Sequence, residues 1–198
     1  MLRKDDVKLS LMVWNEWRAV LEHGPDTASS PLLLDREQFD RFLKEYAVRR
    51  TIRKGTSEAL RERLRDTSWC DAVHDETGEA IDRQEQSLRP EFGTCGGQRG
   101  LISVLSKIAS LMRPHAFNAW DQFARAGVNV ALGRPQGKPF GSYADFLRDV
   151  NRLLAGDLGD RVRAFCADHY PTPYAAAADR FSRRVLDVHL MRLGGRWR

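Results

Sequence analysis

Two residues in the stretch from 101 to 127 have side chains that could carry out chemistry together. Lys107 is the one charged residue of LISVLSKIASLM (101–112), and Asp121 follows 14 positions later (121 − 107) in AWDQFARAG. An amine in partly apolar surroundings is uncharged part of the time and can act as a nucleophile. A carboxylate can stabilise positive charge that develops on a substrate. The two residues are therefore our candidate catalytic residues.

The segment around Lys107 predicts a helix that is buried on most sides. At 100° per residue, its apolar side chains cover most of the circumference. They leave a narrow stripe of Ser103, Ser106, Lys107 and Ser110. Two interpretations remain open. Lys107 could extend to water from a buried helix, or its amine could lie in a partly desolvated groove, where small hydroxyls let a substrate approach and where burial lowers its pKa.

Asp121 is expected in the first turn of the next helix, with Asn118 as the N-cap. Acidic residues are favoured at that position because they interact with the helix dipole. However, Asp121 is also surrounded by Phe117, Trp120 and Phe123, and an acid among aromatic residues is more typical of a binding site. Both interpretations remain open.

The elements that must position these residues are predicted to be helices throughout. Apolar periodicity predicts an all-α protein with eight or nine helices and no strand of useful length. Asp35, Thr56 and Ser142 are expected as N-caps, and Gly78 and Pro114 as interruptions. The further expected helices and breaks are a helix over 7–22, a loop over 23–31, a weak helical stretch over 67–88, the strongest break over 89–100, a loop over 133–142, and helices over 158–168 and 174–192.

Composition favours a globular protein with an acidic partner. The chain has 198 residues, 42% of them hydrophobic, with 32 Lys and Arg against 27 Asp and Glu, a net charge of +5 and a pI near 9.4. Nucleic acid is the first candidate partner. We expect a cytoplasmic protein that does not interact with a membrane, because no apolar run approaches a membrane span and no signal-peptide core is present.

The cysteines and histidines predict neither a metal site nor a cofactor. Cys70, Cys95 and Cys166 are odd in number and far apart, and the five histidines lack the spacing of metal ligands. Cys95 and His115 could in principle form a thiol–imidazole pair, but nothing in the sequence orients them.

The segment LSKIASLM followed by FNAWDQFARAGV resembles the helix-hairpin-helix DNA glycosylases, especially the 8-oxoguanine glycosylase branch and its small prokaryotic relatives. The matching residues are Lys107 with Ile108 and Ala109, and Asp121 with Trp120 and Phe123. The family's hairpin places glycines directly before the lysine, whereas here the glycine-rich turn ends seven residues earlier (107 − 100). The Lys–Asp interval is also shorter than is usual for the family, and the iron–sulfur cysteine set of some branches is absent.

This resemblance implies an all-α fold over residues 1–198, with two lobes at about 1–88 and 89–198, that binds DNA across a cleft as a monomer. It implies a base flipped out of the duplex, an attack by Lys107 and assistance from Asp121 at the sugar. The turn of Gly97, Gln98, Arg99 and Gly100 would hold a phosphate with its backbone N–H groups.

Further candidate DNA contacts come from basic and aromatic residues. Arg49, Arg50, Arg53 and Lys54 could follow phosphates, or could form an ordinary solvated face. Phe117, Trp120, Phe140 and Tyr143 could form walls or a wedge for the base, or could belong to the core. Gln122 and the three serines of the stripe are also expected to contact the substrate. A second basic set lies at Arg183, Arg184, Arg192, Arg196 and Arg198.

The sequence thus predicts a DNA glycosylase that removes a damaged or modified base, in repair or in defence against phage DNA with modified bases. Two alternatives remain. One is a helical DNA-binding module without catalytic activity. The other is a helical interaction protein in which Lys107 is only structural.

Overall fold

The computed structural model describes residues 2–6, 8–10, 34–94, 100–169 and 178–196. Within these ranges the backbone forms helices and no strand, with one isolated antiparallel bridge between Ile52 and Gly93. The prediction of an all-α fold is therefore confirmed. Residues 4–6 and 8–10 are helical and are called α1 here. The other elements are α2 (Arg36–Glu45), a 3₁₀ turn (Arg49–Thr51), α3 (Ser57–Arg63), α4 (Thr67–His74), α5 (Glu79–Phe92), α6 (Gly100–Met112), α7 (Gln122–Ala131), α8 (Tyr143–Ala155), α9 (Asp157–His169) and α10 (Ala178–Leu193).

Local signals fix most of the helix starts in the amino-terminal half. Asp35 and Gln38 form a capping box, in which each side chain accepts the other residue's backbone N–H, at 2.8 and 3.0 Å. Gly78 precedes α5 with a φ of +81°, which explains the predicted interruption there. Thr56 holds the N-cap position of α3, but its hydroxyl donates to the carbonyl of Arg53 at 2.9 Å instead of capping.

The break predicted over 89–100 starts later than expected. Helix α5 continues through Pro90 to Phe92 and ends at Gly93, whose N–H still donates to the carbonyl of Arg89 at 2.9 Å. Pro90 lies in the last turn, where its missing N–H removes only one bond from the helix. Farther along the chain, the predicted loop before Ser142 and the cap itself are confirmed, since the Ser142 hydroxyl accepts the N–H of Asp145 at 3.0 Å.

Helix α7 begins three residues later than predicted. Residues 113–121 are not helical, and the N-cap is Asp121 instead of Asn118. The predicted helix over 7–22 lies largely outside the described residues, as do the loop over 23–31 and residues 174–177 of the last helix.

One buried cluster runs through the described helices, from Leu34 to Met191. Helix α6 contributes heavily, since residues 101–110 are buried except for the partly exposed Ser103. The prediction that this helix is buried on most sides is confirmed. The division into two lobes stays a prediction. In the described part of the chain, no helix is long and apolar enough to cross a membrane.

Helices α7 and α10 touch through their backbones. A Cβ atom placed on Gly127 would lie 1.8 Å from the carbonyl oxygen of Leu190, and one on Gly194 would lie 2.0 Å from that of Phe123. Only glycine permits such an approach. Phe123 of α7 lies against Gly194, and Gly127, four positions later, lies against Leu190, four positions earlier than Gly194. The two helices therefore run antiparallel. The start of α7, with Asp121, therefore lies beside the end of α10.

Candidate functional site

Lys107 lies on the buried helix α6 with only 8% of its surface exposed. Its Nζ donates a hydrogen bond to the carbonyl oxygen of Tyr46, at the end of α2, over 3.2 Å. A protonated amine has three donors. Among the described residues, the other two N–H groups of Lys107 have no acceptor. They are therefore available to donate hydrogen bonds to a ligand.

The surroundings of Lys107 make its neutral form more accessible than it is in water. Burial lowers the pKa of the amine below its ordinary value, while the negative charge of Asp121 opposes this effect. Arg196 lowers the pKa further, Asp187 raises it, and Arg50 lowers it. The predicted direction of the pKa shift is thus confirmed. Four charged residues that are distant in sequence thus act on Lys107, namely Arg50, Asp121, Asp187 and Arg196.

Asp121 has one carboxylate oxygen fixed and one unused. Its Oδ1 accepts the N–H of Phe123 at 2.8 Å and so caps α7. Among the described residues its Oδ2 makes no hydrogen bond or ion pair, and the side chain is only half-buried. A carboxylate with one oxygen tied to a rigid helix start and the other available is suited to contact a substrate.

The serine stripe is not the open groove that the sequence suggested. Ser106 is fully buried and Ser110 is 4% exposed. The Ser106 hydroxyl accepts the N–H of Trp120 at 2.9 Å, and the Ser103 hydroxyl donates to the carbonyl of Trp120 at 3.2 Å. These small side chains satisfy the backbone of the segment that leads to Asp121. Ser103 and Ser106 attach that segment to α6 in the turn that leads to Lys107.

The aromatic residues expected to hold a base are also part of the core. Phe117 is 1% exposed, Trp120 6%, Phe140 9% and Tyr143 0%. Trp120 packs edge-on against Phe140, Tyr143 and Phe146, with ring centroids 5.5–6.2 Å apart. This burial favours the alternative in which these aromatic residues belong to the core, and their contact with a base stays a prediction. Their spacing, which is typical of both core and pocket, could not decide the question.

The first basic set lies on the surface beside α6. Arg49, Arg50, Arg53 and Lys54 are all exposed. Arg53 donates to the carbonyl of Pro90 at 2.8 Å, and Arg49 lies 3.9 Å from Asp40. The 3₁₀ turn that carries Arg49 and Arg50 contacts the start of α6, because a Cβ on Gly100 would lie 3.4 Å from the side chain of Thr51. The set, called the basic turn here, thus includes cations near the start of the helix that carries Lys107, and Arg50 among them lowers the pKa of that amine.

The remaining predicted contacts fall at different places. Gln122 is exposed at the first residue of α7, and Gly100 is the first residue of α6. Gly97, Gln98, Arg99 and Cys95 lie outside the described residues. The Nε2 of His115 contacts Arg113 at 3.2 Å and lies 3.9 Å from Glu76. In the described ranges, no group of three or more His, Cys, Asp or Glu side chains could hold a metal ion.

Two polar residues near the pair, Asn118 and Asp187, were not predicted as part of the site, and both are 1% exposed. The sequence predicted only an N-cap at Asn118 and led to no prediction for Asp187. Asp187 lies 3.0 Å from Arg184 and accepts a long hydrogen bond of 3.5 Å from Asn118. Burial raises the pKa of its carboxyl group, and both Asp121 and Lys107 influence it. Asp187 occurs among apolar residues in RVLDVHLM (184–191), a signal that could have indicated its burial.

The fold and the site define an all-α protein with a Lys–Asp pair between a basic turn and the end of the last helix. Comparison with protein-family models, curated proteins and solved structures found no match to this chain.

Proposed function

We propose that the protein is a DNA glycosylase that excises a damaged or modified base. Lys107 is the attacking amine, and Asp121 is the carboxylate that stabilises positive charge on the sugar. DNA is the partner, the protein acts as a monomer, and it works in the cytoplasm. The excision serves repair or defence against phage DNA with modified bases.

One observation carries this proposal. Lys107 and Asp121 are close enough to affect each other electrostatically, and each keeps a polar atom that no described residue occupies. Structural ion pairs in protein interiors usually have their polar atoms satisfied. A nucleophile and an acid that are held near each other and remain unsaturated are the two groups that glycosidic bond cleavage requires.

The chemistry follows from these two groups. The neutral amine attacks the sugar carbon that bears the base, and a new C–N bond forms as the glycosidic bond breaks. The electron pair of the broken bond leaves with the base, which takes up a proton. Positive charge develops on the sugar during this step, and the free Oδ2 of Asp121 would stabilise it. Opening of the sugar ring then gives an imine with Lys107.

The charges around the pair suit a polyanion. Arg50 from the basic turn and Arg196 from the end of α10 both interact with Lys107. Phosphates on either side of a flipped nucleotide would meet these cations. The same cations keep the amine less basic, so one set of residues supports both DNA binding and amine reactivity.

The proposal is tested by measuring abasic sites and covalent trapping. The purified protein is incubated with duplexes that carry single damaged bases and with phage genomes that carry hypermodified bases. Abasic sites are counted with an aldehyde-reactive probe, and borohydride reduces any imine to a stable adduct. We expect base release from one DNA of the panel and an adduct at Lys107, located by peptide mass spectrometry.

Matched variants show whether the pair is responsible. Lys107→Gln should lose the adduct, whereas Lys44→Gln, at an exposed lysine of α2, should keep it. Base release without any adduct would mean that water attacks with the help of Asp121. No base release from any DNA of the panel would contradict the proposal.

The hydrogen bond from Lys107 to the carbonyl of Tyr46 favours a second candidate. Together with the low exposure of Lys107, it is what a structural lysine would show. The protein would then be a helical DNA-binding module without catalytic activity. Salt-dependent DNA binding without base release would support this second function, and neither activity would support the helical interaction protein.

A further inference from the structure

Three hydrogen bonds from other helices hold Asn118, in the segment between α6 and α7. Its Oδ1 accepts a hydrogen bond from Nη1 of Arg183 at 2.7 Å, and its Nδ2 donates to Asp187 at 3.5 Å. Its backbone carbonyl accepts the hydroxyl of Tyr143 at 2.7 Å. Two residues of α10 and one of α8 thus hold a single residue, three positions before Asp121.

The arginine that holds Asn118 is itself unusual. Arg183 is 8% exposed, and among the described residues it has no carboxylate within ion-pair distance. Its second hydrogen bond goes to the side-chain oxygen of Asn151 at 2.5 Å, and burial lowers the pKa of its guanidinium to about 10. A buried cation bound only to amide oxygens is costly to keep. Its two hydrogen bonds nevertheless join α10 to the loop and to α8.

The path from Asn118 to Asp121 is short and rigid. Trp120, between them, is bound through its N–H and its carbonyl to two serines of α6. Asp121 then caps α7 through Phe123. Asn118 and Trp120 therefore fix the two ends of a short segment that leads directly to the carboxylate of Asp121.

We propose that Asn118, held by Arg183 and Asp187, is a positioning residue that fixes the carboxylate of Asp121 relative to helix α6, which carries Lys107. Helix α10 thereby controls the geometry of a pair that lies on α6 and at the start of α7. The catalytic consequence of this geometry rests on the proposed function, but the geometry can be tested without any activity.

The test is a double-mutant cycle that uses the reactivity of Lys107 as its readout. An amine-reactive reagent labels Lys107 at a pH where most of the amine is protonated, and peptide mass spectrometry gives the rate. Asp121, Asp187, Arg50 and Arg196 set the charge around the amine. Asn118→Ala should let Asp121 move away and should raise the labelling rate about threefold, which corresponds to half a pKa unit.

The cycle then distinguishes positioning from mere loosening of the structure. In an Asp121→Asn background, Asn118→Ala should change the rate very little, because the charge that it positions is gone. An equal increase in both backgrounds would mean that the mutation only exposes Lys107, and would overturn the inference. Asn129→Ala is the matched control, since Asn129 is also 1% exposed but binds the carbonyls of Gln136 and Lys138. It should leave the rate unchanged.

A milder variant keeps the test decisive if Asn118→Ala does not fold. Arg183→Lys preserves the charge but loses the fixed geometry of the guanidinium. It should raise the labelling rate in the same direction by a smaller factor, again only when Asp121 is present. An unchanged rate in Arg183→Lys, with its fold intact, would also overturn the inference.

Base release supplies a separate readout. Where the wild-type protein releases a base, Asn118→Ala should lower kcat while leaving KM nearly unchanged, because positioning acts on the transition state. Where it releases none, the proposed function fails, and the labelling cycle still decides whether Asn118 positions Asp121.

Discussion

Two charged clusters beside helix α10 differ in whether their opposite charges meet directly. The first surrounds Asp6, which is fully buried. Its carboxylate accepts the N–H of Arg3 at 2.9 Å, pairs with Arg192 at 2.5 Å, and lies 3.8 Å from Nδ1 of His189. The second contains Lys107 and Asp121, in which the amine has one hydrogen bond and one carboxylate oxygen has none among the described residues.

The difference separates a structural cluster from a candidate site. At Asp6, opposite charges meet directly, and α1 is thereby joined to α10. At Lys107, the nearest acid influences the amine without forming an ion pair, and two arginines add positive charge. A buried charge that is not neutralised costs stability. Such a cost is typical of functional sites, where groups are kept available for a substrate.

Removing Asp6 should have the largest effect on stability. Asp6→Ala leaves the mostly buried guanidinium of Arg192 without this carboxylate partner. The free energy of unfolding should therefore fall by about 3–5 kcal/mol. Chemical denaturation measures it. Asp160→Ala is the control, because Asp160 forms an ion pair with Arg163 but its side chain is 73% exposed. It should cost less than about 1 kcal/mol. Similar decreases at both sites would contradict the structural role of the Asp6 cluster.

Asp121→Asn should show the opposite balance, with a large decrease in activity and little change in stability. Asparagine caps a helix about as well as aspartate does, so the free energy of unfolding should change by less than about 1 kcal/mol. Base release should fall several hundred-fold, since removing a group that stabilises the transition state costs about 3–4 kcal/mol. Single-turnover kinetics give the rate. Wild-type turnover in this variant would remove Asp121 from the mechanism.

Removing the charges of the basic turn should weaken DNA binding and leave the Asp6 cluster unchanged, although Arg50 also acts on Lys107. Replacing Arg49, Arg50, Arg53 and Lys54 with alanine should reduce the slope of log K against log salt by about one unit for each phosphate that these cations neutralise. Fluorescence anisotropy at several salt concentrations measures the slope. An unchanged slope would place this surface away from DNA, and the Lys–Asp pair would then lack part of its proposed binding surface.

The smallest expected effect is the pH dependence that Lys107 adds to stability. Its pKa is lower in the folded protein than the ordinary value of 10.5. Between these two pKa values the unfolded chain therefore binds more protons than the folded protein does. The contribution of Lys107 to the free energy of unfolding increases as the pH rises through that window. Lys107→Met should remove this contribution. The difference between wild type and variant isolates it from Tyr143, whose hydroxyl pKa burial raises. A flat difference between the two curves would argue against a desolvated amine.

The sequence by itself determined the local features of this protein. The caps at Asp35 and Ser142, the interruption at Gly78 and the burial of α6 follow from neighbouring residues, because capping, φ preference and apolar periodicity act over a few positions. The lowered pKa of Lys107 was likewise predictable, since an apolar helix around one lysine implies desolvation.

Only the tertiary structure decided what the polar residues of this region contact. Ser103 and Ser106 could have faced a groove, but they bind the backbone of Trp120 in the segment that joins α6 to α7. Asn118 could have capped α7, but its side chain binds two residues of α10 and its carbonyl binds a residue of α8. Spacing within one helix cannot reveal these partners, since they lie 14 to 69 residues away in the chain. The neighbours of Lys107 depend on the same long-range packing, which includes the glycine contacts between α7 and α10.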